Sequence, residues 1–200
     1  TSATLSDHRT RTHDRPCLHD GFTDVAPDGF YTEAVEWMIA NNITTGYNDD
    51  LFGPNEPAER AHLATFMWRY MGYPSAPDTD EFDDVPAQSY YTRAVAWMVA
   101  EGITTGTAPG RFSPEKAVSR AEAVTFLWRL AGSPPVDATH AFDDVPADSF
   151  FADAVAWAYS VGVTTGVSAT SFDPRRALTR AEAATFLFRY DSLVASEGDR

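Results

Sequence analysis

Apolar residues recur along the chain at the spacing of amphipathic helices, and two kinds of helix alternate. The first kind carries an apolar stripe with a period of 3.6 residues and is followed by a glycine, Gly102, suited to end a helix. The second kind opens with a capping box, in which Ser119 and Glu122 each satisfy a backbone amide of the other. The stripe of the first helix consists of Ala94, Val95, Trp97 and Met98. The pattern predicts a mainly α chain of helix–loop–helix units with a short extended segment in each loop.

This unit is repeated three times with a period of 60 residues and no insertion. A tryptophan in the first helix, a Thr-Thr-Gly turn and an Arg-Ala pair at the start of the second helix all recur in register. The turn glycines are Gly46, Gly106 and Gly166, and the arginines are Arg60, Arg120 and Arg180. A repeat of this length is one supersecondary unit that buries its apolar face against its neighbours, so the units are expected to stack or to form a ring.

The repeats divide the chain into five segments, separated by links rich in Pro, Ala and Asp. We expect a leader at 1–20, repeats at 21–80, 81–140 and 141–192, and a polar tail at 193–200. The leader and the tail have the polar composition of flexible chain ends. Each repeat is thus the unit in which function should be sought.

Composition excludes several classes of protein. A content of 44% hydrophobic residues is enough for a packed core, and the net charge of −14 excludes nucleic-acid binding through bulk electrostatics. The longest apolar run, 94–100, is far shorter than the ~20 residues that a membrane-spanning helix needs. The lone Cys17 excludes an internal disulfide framework and a Cys-rich zinc site.

No arrangement of residues predicts a catalytic site, a metal site or a cofactor. None of the five histidines recurs in the repeats, and three of them lie in the leader. The acidic pairs Asp83-Asp84 and Asp143-Asp144 are better explained by turns, because adjacent residues cannot flank one glycosidic bond. The chain is therefore expected not to be an enzyme.

The three arginines are the strongest candidates for a binding role. Arg60, Arg120 and Arg180 stand in the first turn of a helix, where the helix dipole disfavours a cation. Free amides at a helix start, together with a guanidinium, would bind a carboxylate or a phosphate. The alternative is an ion pair with a neighbouring repeat, in which the aspartate that opens each unit is the obvious partner.

Aromatic residues and glycines leave two interpretations open. The helix tryptophans lie on the apolar stripe and predict a core role. Tyr31 and Tyr91, with the preceding rings at Phe30, Tyr90 and Phe150, are candidate platforms for stacking a sugar, and core packing is the alternative. Gly46 and its equivalents are either turn residues or points where a ligand approaches the backbone. The tryptophans are Trp37, Trp97 and Trp157.

The ordered motifs of each unit resemble the S-layer homology (SLH) family. They are a Phe-x-Asp-Val opening, a Gly-Ile-Thr-x-Gly turn, a Phe-x-Pro segment and a Thr-Arg-Ala-Glu box, in three tandem copies over 21–190. The resemblance implies a pseudo-threefold helical prism, with one helix from each repeat packed around a central axis. It also implies a secreted protein of the Gram-positive cell wall or cell surface.

In this family, grooves between repeats bind a secondary cell wall polymer, often through pyruvylated sugars that carry a carboxylate. By position, the resemblance assigns that carboxylate to Arg60, Arg120 and Arg180. It assigns the sugar to the turn glycines Gly46, Gly106 and Gly166 and to the opening aspartates Asp24, Asp84 and Asp144. The expected function is a noncatalytic anchor, fused to a larger surface protein, that binds an anionic glycan. The alternative is a protein–protein or S-layer self-assembly module.

Repeat 1 departs from the other two. It reads Glu59-Arg60-Ala61-His62, which predicts the loss of both halves of the capping box. Residues 21–80 also hold ten acidic and two basic side chains, against seven and five in 81–140. With Glu59 as a competing carboxylate, anion binding is expected to be weakest at Arg60.

Overall fold

The computed structural model describes residues 21–78, 81–137 and 142–198. Within these residues the chain forms six α-helices and no named strand, which confirms the mainly α prediction. Two helices belong to each repeat, and the predicted leader lies outside the described residues. The helices are α1 Thr32–Ala40, α2 Arg60–Tyr70, α3 Thr92–Ala100, α4 Arg120–Leu130, α5 Ala152–Ser160 and α6 Arg180–Gly198.

The first helix of each repeat ends at the predicted left-handed residue. Asn42, Gly102 and Gly162 have φ angles of 57°, 68° and 84°. The expected core role of the helix tryptophans is confirmed, since Trp97 is only 2% exposed. Helix α3 begins at Thr92, and the N-cap residue Tyr91 makes no side-chain capping bond, so Ser89 does not cap this helix. The Thr92 hydroxyl donates to the carbonyl of Pro86 at 2.6 Å and so fixes this helix start.

The second helix of each repeat is capped, including the one for which the sequence predicted no box. In α4, Glu122 N donates to the Ser119 hydroxyl at 3.2 Å, and Ser119 N donates to the Glu122 carboxylate at 2.8 Å. In α2, Glu59 N donates to Nδ1 of His62 at 3.2 Å. The predicted loss of the box is wrong because the imidazole nitrogen supplies the acceptor that a glutamate supplies elsewhere.

The last helix is longer than its equivalents. Helices α2 and α4 have 11 residues each and are followed by the left-handed Gly72 and Gly132, whereas α6 has 19 residues. Repeat 3 has Ser192 at the glycine position, so nothing in the sequence stops the helix there. The predicted polar tail is therefore helical to residue 198, and Leu193 packs partly against the core.

The three repeats close into a ring. Helix α2 packs on α3, α4 on α5 and α6 on α1, so that repeat 3 contacts repeat 1. Hydrogen bonds between backbones make the same circuit: Ala58 N to Leu178 O, Leu178 N to Val118 O, and Val118 N to Ala58 O, at 2.8, 2.9 and 2.8 Å. This ring brings residues of different repeats together at each second helix. The pseudo-threefold prism, in which one helix from each repeat packs around a central axis, stays a prediction.

Candidate functional site

The three arginines lie buried at the joints of the ring. Their residues are 1%, 3% and 2% exposed, and each Nε donates to a carbonyl of the next repeat at 2.7, 2.8 and 2.8 Å. The pairs are Arg60 with Phe112, Arg120 with Phe172, and Arg180 with Phe52. Each arginine therefore links two repeats, and we name the three clefts around them the Arg60, Arg120 and Arg180 grooves.

The amides at the helix starts are not free, contrary to the sequence-based expectation. In α2, Arg60 N donates to Lys116 O at 3.0 Å and Ala61 N donates to Pro114 O at 2.9 Å. The equivalent amides of α4 and α6 make the same bonds to the neighbouring repeat. An anion in a groove would consequently depend on the guanidinium rather than on these amides.

Two of the arginines form ion pairs with the neighbouring repeat. Arg60 Nη1 lies 2.9 Å from Oε1 of Glu122, and Arg120 Nη1 lies 3.2 Å from Oε1 of Glu182. Burial would raise the pKa of Glu122, but the hydrogen bond from Ser119 and the charge of Arg60 hold it below its usual value. The ion-pair alternative is thus confirmed for these two arginines, with the capping-box glutamate as partner instead of the opening aspartate.

Arg180 has different surroundings. His62 occupies the position of the paired glutamates, and among the described residues Arg180 forms no ion pair with a carboxylate. The guanidinium carbon lies 4.2 Å from the ring centre of Tyr47, 4.8 Å from that of Phe52 and 5.3 Å from that of Phe66. Equivalent phenylalanine contacts occur at Arg60 and Arg120, so Tyr47 is the partner particular to this groove, in which no carboxylate of the described residues pairs with the arginine.

The opening aspartates hold the backbone behind the arginines. Asp84 accepts hydrogen bonds from Phe112 N and Ser113 N, both at 2.9 Å. Asp24 and Asp144 bind the equivalent amides of their own repeats. They fix the segment whose carbonyl receives the arginine Nε, so their observed role is positioning. Their contribution to sugar binding stays a prediction.

The turn glycines are required by the backbone itself. Gly46, Gly106 and Gly166 have φ angles of 73°, 83° and 80°. A Cβ atom at Gly106 would lie 2.6 Å from the Phe82 ring, so a side chain does not fit. The turn alternative is therefore confirmed, and close approach of a ligand to these residues stays a prediction.

Two cavities lie at the joints between repeats. In the Arg120 groove, a cavity of about 160 Å³ is lined by Arg120 of repeat 2, by Gly166 and Glu182 of repeat 3 and by Phe30 of repeat 1. Beside Glu122, the partner of Arg60, a cleft of about 530 Å³ is lined by residues of repeats 2 and 3 that include Lys116, Phe150 and Arg175. The Arg120 cavity thus needs all three repeats.

The exposed aromatic residues are the first of each predicted pair. Phe30, Tyr90 and Phe150 are 70%, 54% and 68% exposed and stand at the rims of the grooves. Tyr31 and Tyr91 are half-buried and pack against the core. At the Arg180 groove, Tyr90 stacks on His62 with ring centres 6.3 Å apart. The surface available for stacking is therefore formed by the first residue of the pair.

Glu59 lies near a different arginine from the one expected. Arg60 is paired with Glu122, whereas Glu59 faces the Arg180 groove. Burial and the charge of Glu115 raise the pKa of Glu59, and the charge of Arg180 opposes this rise. The proposed competition of Glu59 for Arg60 is wrong because the helix start points Arg60 into the next repeat. That anion binding is weakest at Arg60 stays a prediction, but competition from Glu59 no longer supports it.

Two residues of the Arg180 groove were missed as site residues. Tyr47 stands where the other repeats have Thr107 and Val167, and His62 stands where they have Glu122 and Glu182. The alignment of the repeats contains this signal. This signal does not by itself identify a site, because the partner of each arginine belongs to another repeat and the linear sequence does not show which one.

The described residues also bear on the other candidate chemistries. No group of three or more His, Cys, Asp or Glu side chains in this part of the chain could hold a metal ion. None of its helices has the length and apolar character needed to cross a membrane. Asp83 N donates to Gly110 O at 2.9 Å while Asp84 binds two amides, so this acidic pair serves a turn. Cys17 and three histidines of the leader lie outside the described residues.

The fold and the grooves define a class of protein: a closed ring of three helical repeats with clefts at the joints. The S-layer homology domain model matches residues 21–64, 81–124 and 141–184, which together exceed half of the chain. The chain therefore belongs to the S-layer homology domain family, as the resemblance indicated.

Several relatives are surface proteins. The chain is 32% identical to a cell surface protein of Thermoanaerobacter kivui over 58% of its length and 16% of the relative. It is 39% identical to the surface-layer 125 kDa protein of Lysinibacillus sphaericus over 56% of its own length and 9% of the relative. It is 24% identical to an S-layer protein of Bacillus thuringiensis subsp. finitimus over 88% of its own length and 22% of the relative. The chain thus spans less than a quarter of each relative, and the expected cell-surface location is confirmed.

Proposed function

We propose that this chain is a noncatalytic module that anchors a larger surface protein to the cell wall by binding an anionic secondary cell wall polymer. The ligand carboxylate, as in a pyruvyl ketal, meets a groove arginine, and the sugar ring stacks on the aromatic residue at the rim. The resemblance adds the turn glycines and opening aspartates as further contacts to the sugar.

One observation carries this proposal: a buried guanidinium and an exposed aromatic ring from a different repeat line the same cavity. In the Arg120 groove these are Arg120 and Phe30, which line one cavity. A guanidinium recognises a carboxylate through paired hydrogen bonds, and an aromatic face packs against the C–H groups of a sugar. An acidic chain can thus bind an anionic glycan at short range, although its net charge repels it at long range.

The anchoring role is supported by the size of the relatives. Surface proteins of which this module matches 9–22% have other regions that require attachment to the cell. The relatives named as surface proteins support a binding module rather than an enzyme.

The test is a pull-down with isolated wall polymer before and after mild acid removal of its pyruvyl ketals. The proposal expects the chain to sediment with intact polymer and to stay in the supernatant with the treated polymer. Equal sedimentation with both polymers would contradict recognition of the ketal carboxylate. Re-pyruvylated polymer, which should restore binding, controls for other damage by the acid.

The exposed rings at the groove rims favour a second candidate, a protein–protein or self-assembly module. Phe30 and Phe150 are about two-thirds exposed, and large exposed apolar residues mark contact surfaces. This candidate expects concentration-dependent association of the chain in analytical ultracentrifugation, without any polymer. A monomer at every concentration, together with polymer binding, would exclude it.

A further inference from the structure

The three grooves differ in how the arginine charge is compensated. In the Arg60 and Arg120 grooves, a glutamate of the capping box already forms an ion pair with the guanidinium, at 2.9 and 3.2 Å. In the Arg180 groove the residue at the same position is His62. A ligand carboxylate would have to displace an internal carboxylate from the first two grooves, but not from the third.

His62 is held in the place of that glutamate without carrying its charge. Its Nδ1 accepts the amide of Glu59 at 3.2 Å, the bond that the glutamate makes in the other boxes. Burial and, to a smaller extent, the charge of Arg180 lower the pKa of His62 to about 4. At neutral pH the imidazole is therefore uncharged, and Arg180 faces no ion-pair partner among the described residues.

The walls of the Arg180 groove also differ from those of the other two. Tyr47 covers one face of the Arg180 guanidinium at 4.2 Å and meets the His62 ring edge-on at 5.6 Å. Tyr90 stacks on His62 from the other side, and both tyrosines are about half exposed. Nε of Arg180 is taken by the Phe52 carbonyl, so a ligand carboxylate would have to meet the terminal nitrogens, while the tyrosines offer faces and hydroxyls to a sugar.

Arg60 is the competing candidate. Its Nη2 is the one buried side-chain nitrogen or oxygen atom in the described part of the chain that has no hydrogen-bond partner. However, its charge is balanced by Glu122, which also lies 3.4 Å from Lys116. A free NH2 group beside a balanced charge suits neutral acceptors, such as hydroxyl or acyl oxygens, better than an anion.

We infer that the Arg180 groove is the primary carboxylate site of this module and that His62 is the residue that makes it so. The inference rests on the proposed function, which it deepens by assigning the anionic sugar to one groove. The Arg60 and Arg120 grooves then take uncharged parts of the polymer. Glu59, half-exposed at the rim, bears a charge of the wrong sign but forms no ion pair with Arg180.

The test changes His62 in two ways. His62→Glu makes the third box match the other two and introduces the competing carboxylate. His62→Gln keeps a hydrogen-bond acceptor for Glu59 N but adds no charge. The ligand is the methyl glycoside of a 4,6-O-(1-carboxyethylidene) N-acetylhexosamine, titrated into the 200-residue chain by calorimetry, with its uncharged methyl ester as the control probe.

We expect His62→Glu to weaken binding of the acid by about tenfold or more, since a salt bridge must be displaced. His62→Gln should stay within about threefold of the original chain. The methyl ester should bind all three proteins alike. In the reverse experiment, Glu182→Gln removes the internal carboxylate from the Arg120 groove, and the stoichiometry should rise from one acid per chain to two.

Equal affinity of the acid for His62→Glu and the original chain would overturn the inference, and so would a stoichiometry of three without any substitution. Near-ultraviolet circular dichroism of each variant shows that it is folded, so a loss of binding is not a loss of structure.

A second measurement separates this inference from the proposed function. Sodium lactate carries a carboxylate without a sugar, and its binding can be followed through the Nε–Hε NMR signals of the arginines. Movement of the Arg180 signal alone supports the inference even if wall polymer does not bind, which would refute only the proposed function. Polymer binding with no selective movement of Arg180 would overturn the inference and leave the proposed function standing.

Discussion

The Arg120 and Arg180 grooves are built from equivalent positions of the repeat, yet they treat the same side chain differently. In both, Nε donates to a phenylalanine carbonyl of the next repeat at 2.8 Å. Both guanidinium groups also lie over two phenylalanine rings, but Arg120 pairs with Glu182 at 3.2 Å, whereas Arg180 has the Tyr47 ring at 4.2 Å and no ion pair among the described residues. One guanidinium thus performs two separable tasks, since Nε joins the repeats and the terminal nitrogens carry a charge that each groove handles differently.

This separation explains why the arginine could be interpreted in two ways. As a link between repeats it is structural in all three grooves. As a cation it forms an ion pair with a glutamate in two grooves, and among the described residues it forms none in the third. The opening aspartates hold the acceptor segment in all three repeats, and they make no ion pair with the arginines.

The largest expected effect tests the charge balance in the folded chain. Arg60→Met removes the ion-pair partner of Glu122 and leaves a largely buried carboxylate that keeps only the Ser119 amide and the exposed Lys116, so the free energy of unfolding should fall by about 3–5 kcal/mol. Arg180→Met leaves no carboxylate unpaired and should cost about 2 kcal/mol less. Urea unfolding followed by circular dichroism measures both. Equal losses would mean that the ion pair adds nothing beyond the Nε bond.

The pH dependence of stability gives the next effect. His62 has a pKa of about 4 in the folded chain against 6.5 when unperturbed, so the unfolded state binds more protons between these values. Stability is therefore full above pH 6.5 and falls as the pH drops towards 4. Between pH 7 and pH 5 the loss should be about 2 kcal/mol.

The matched control is His62→Gln, in which this contribution vanishes while other titrating groups, such as Glu122, remain. Urea unfolding at pH 7 and pH 5 should show a steeper loss for the original chain than for the variant. Parallel curves would show that burial of the neutral imidazole does not depress its pKa, and the contrast between the grooves would lose its electrostatic basis.

Substitutions of the three arginines should weaken binding of wall polymer to different extents. Lysine keeps the positive charge but loses the planar fork, so Arg180→Lys should weaken binding by about tenfold. Arg60→Lys and Arg120→Lys should change it by less than about threefold, because their charges are already paired. Arg120→Ala and Arg180→Ala should both reduce polymer binding more than Arg60→Ala. Sedimentation with isolated polymer measures all six variants, and equal losses at the three positions would contradict the ranking.

The features that depend on neighbouring residues in sequence were predicted well. The second-helix start at Ser119 and the left-handed Gly102 follow from local hydrogen bonds and backbone preference. The length of α6 was not predicted, because the polar composition of residues 193–200 is typical of a flexible end. The signal for a longer helix is Ser192, which stands where the other repeats have a glycine. A helix continues until something ends it, even through a polar stretch.

The features that depend on ring closure could not be predicted from one repeat at a time. Arg60 and Glu122 are 62 residues apart, and Arg180 and Phe52 are 128 apart. The sequence shows which residues recur, but the choice between an opening aspartate and a capping glutamate as partner depends on how the repeats meet. The substitution of histidine for glutamate at His62 acquires meaning only once that partner is known.

The smallest expected effect concerns Tyr47, the aromatic cover that the other grooves lack. Tyr47→Thr introduces the residue of repeat 2 at this position and removes the ring 4.2 Å from the Arg180 guanidinium, so stability should fall by about 1 kcal/mol. Thr107→Ser is a control of similar exposure in the Arg60 groove and should be neutral. The same Tyr47→Thr chain should bind the pyruvyl ketal acid only a few times more weakly, because Arg180 and the neutral His62 remain. A loss as large as that of His62→Glu would assign the selectivity of the groove to its aromatic cover rather than to the absence of an internal carboxylate.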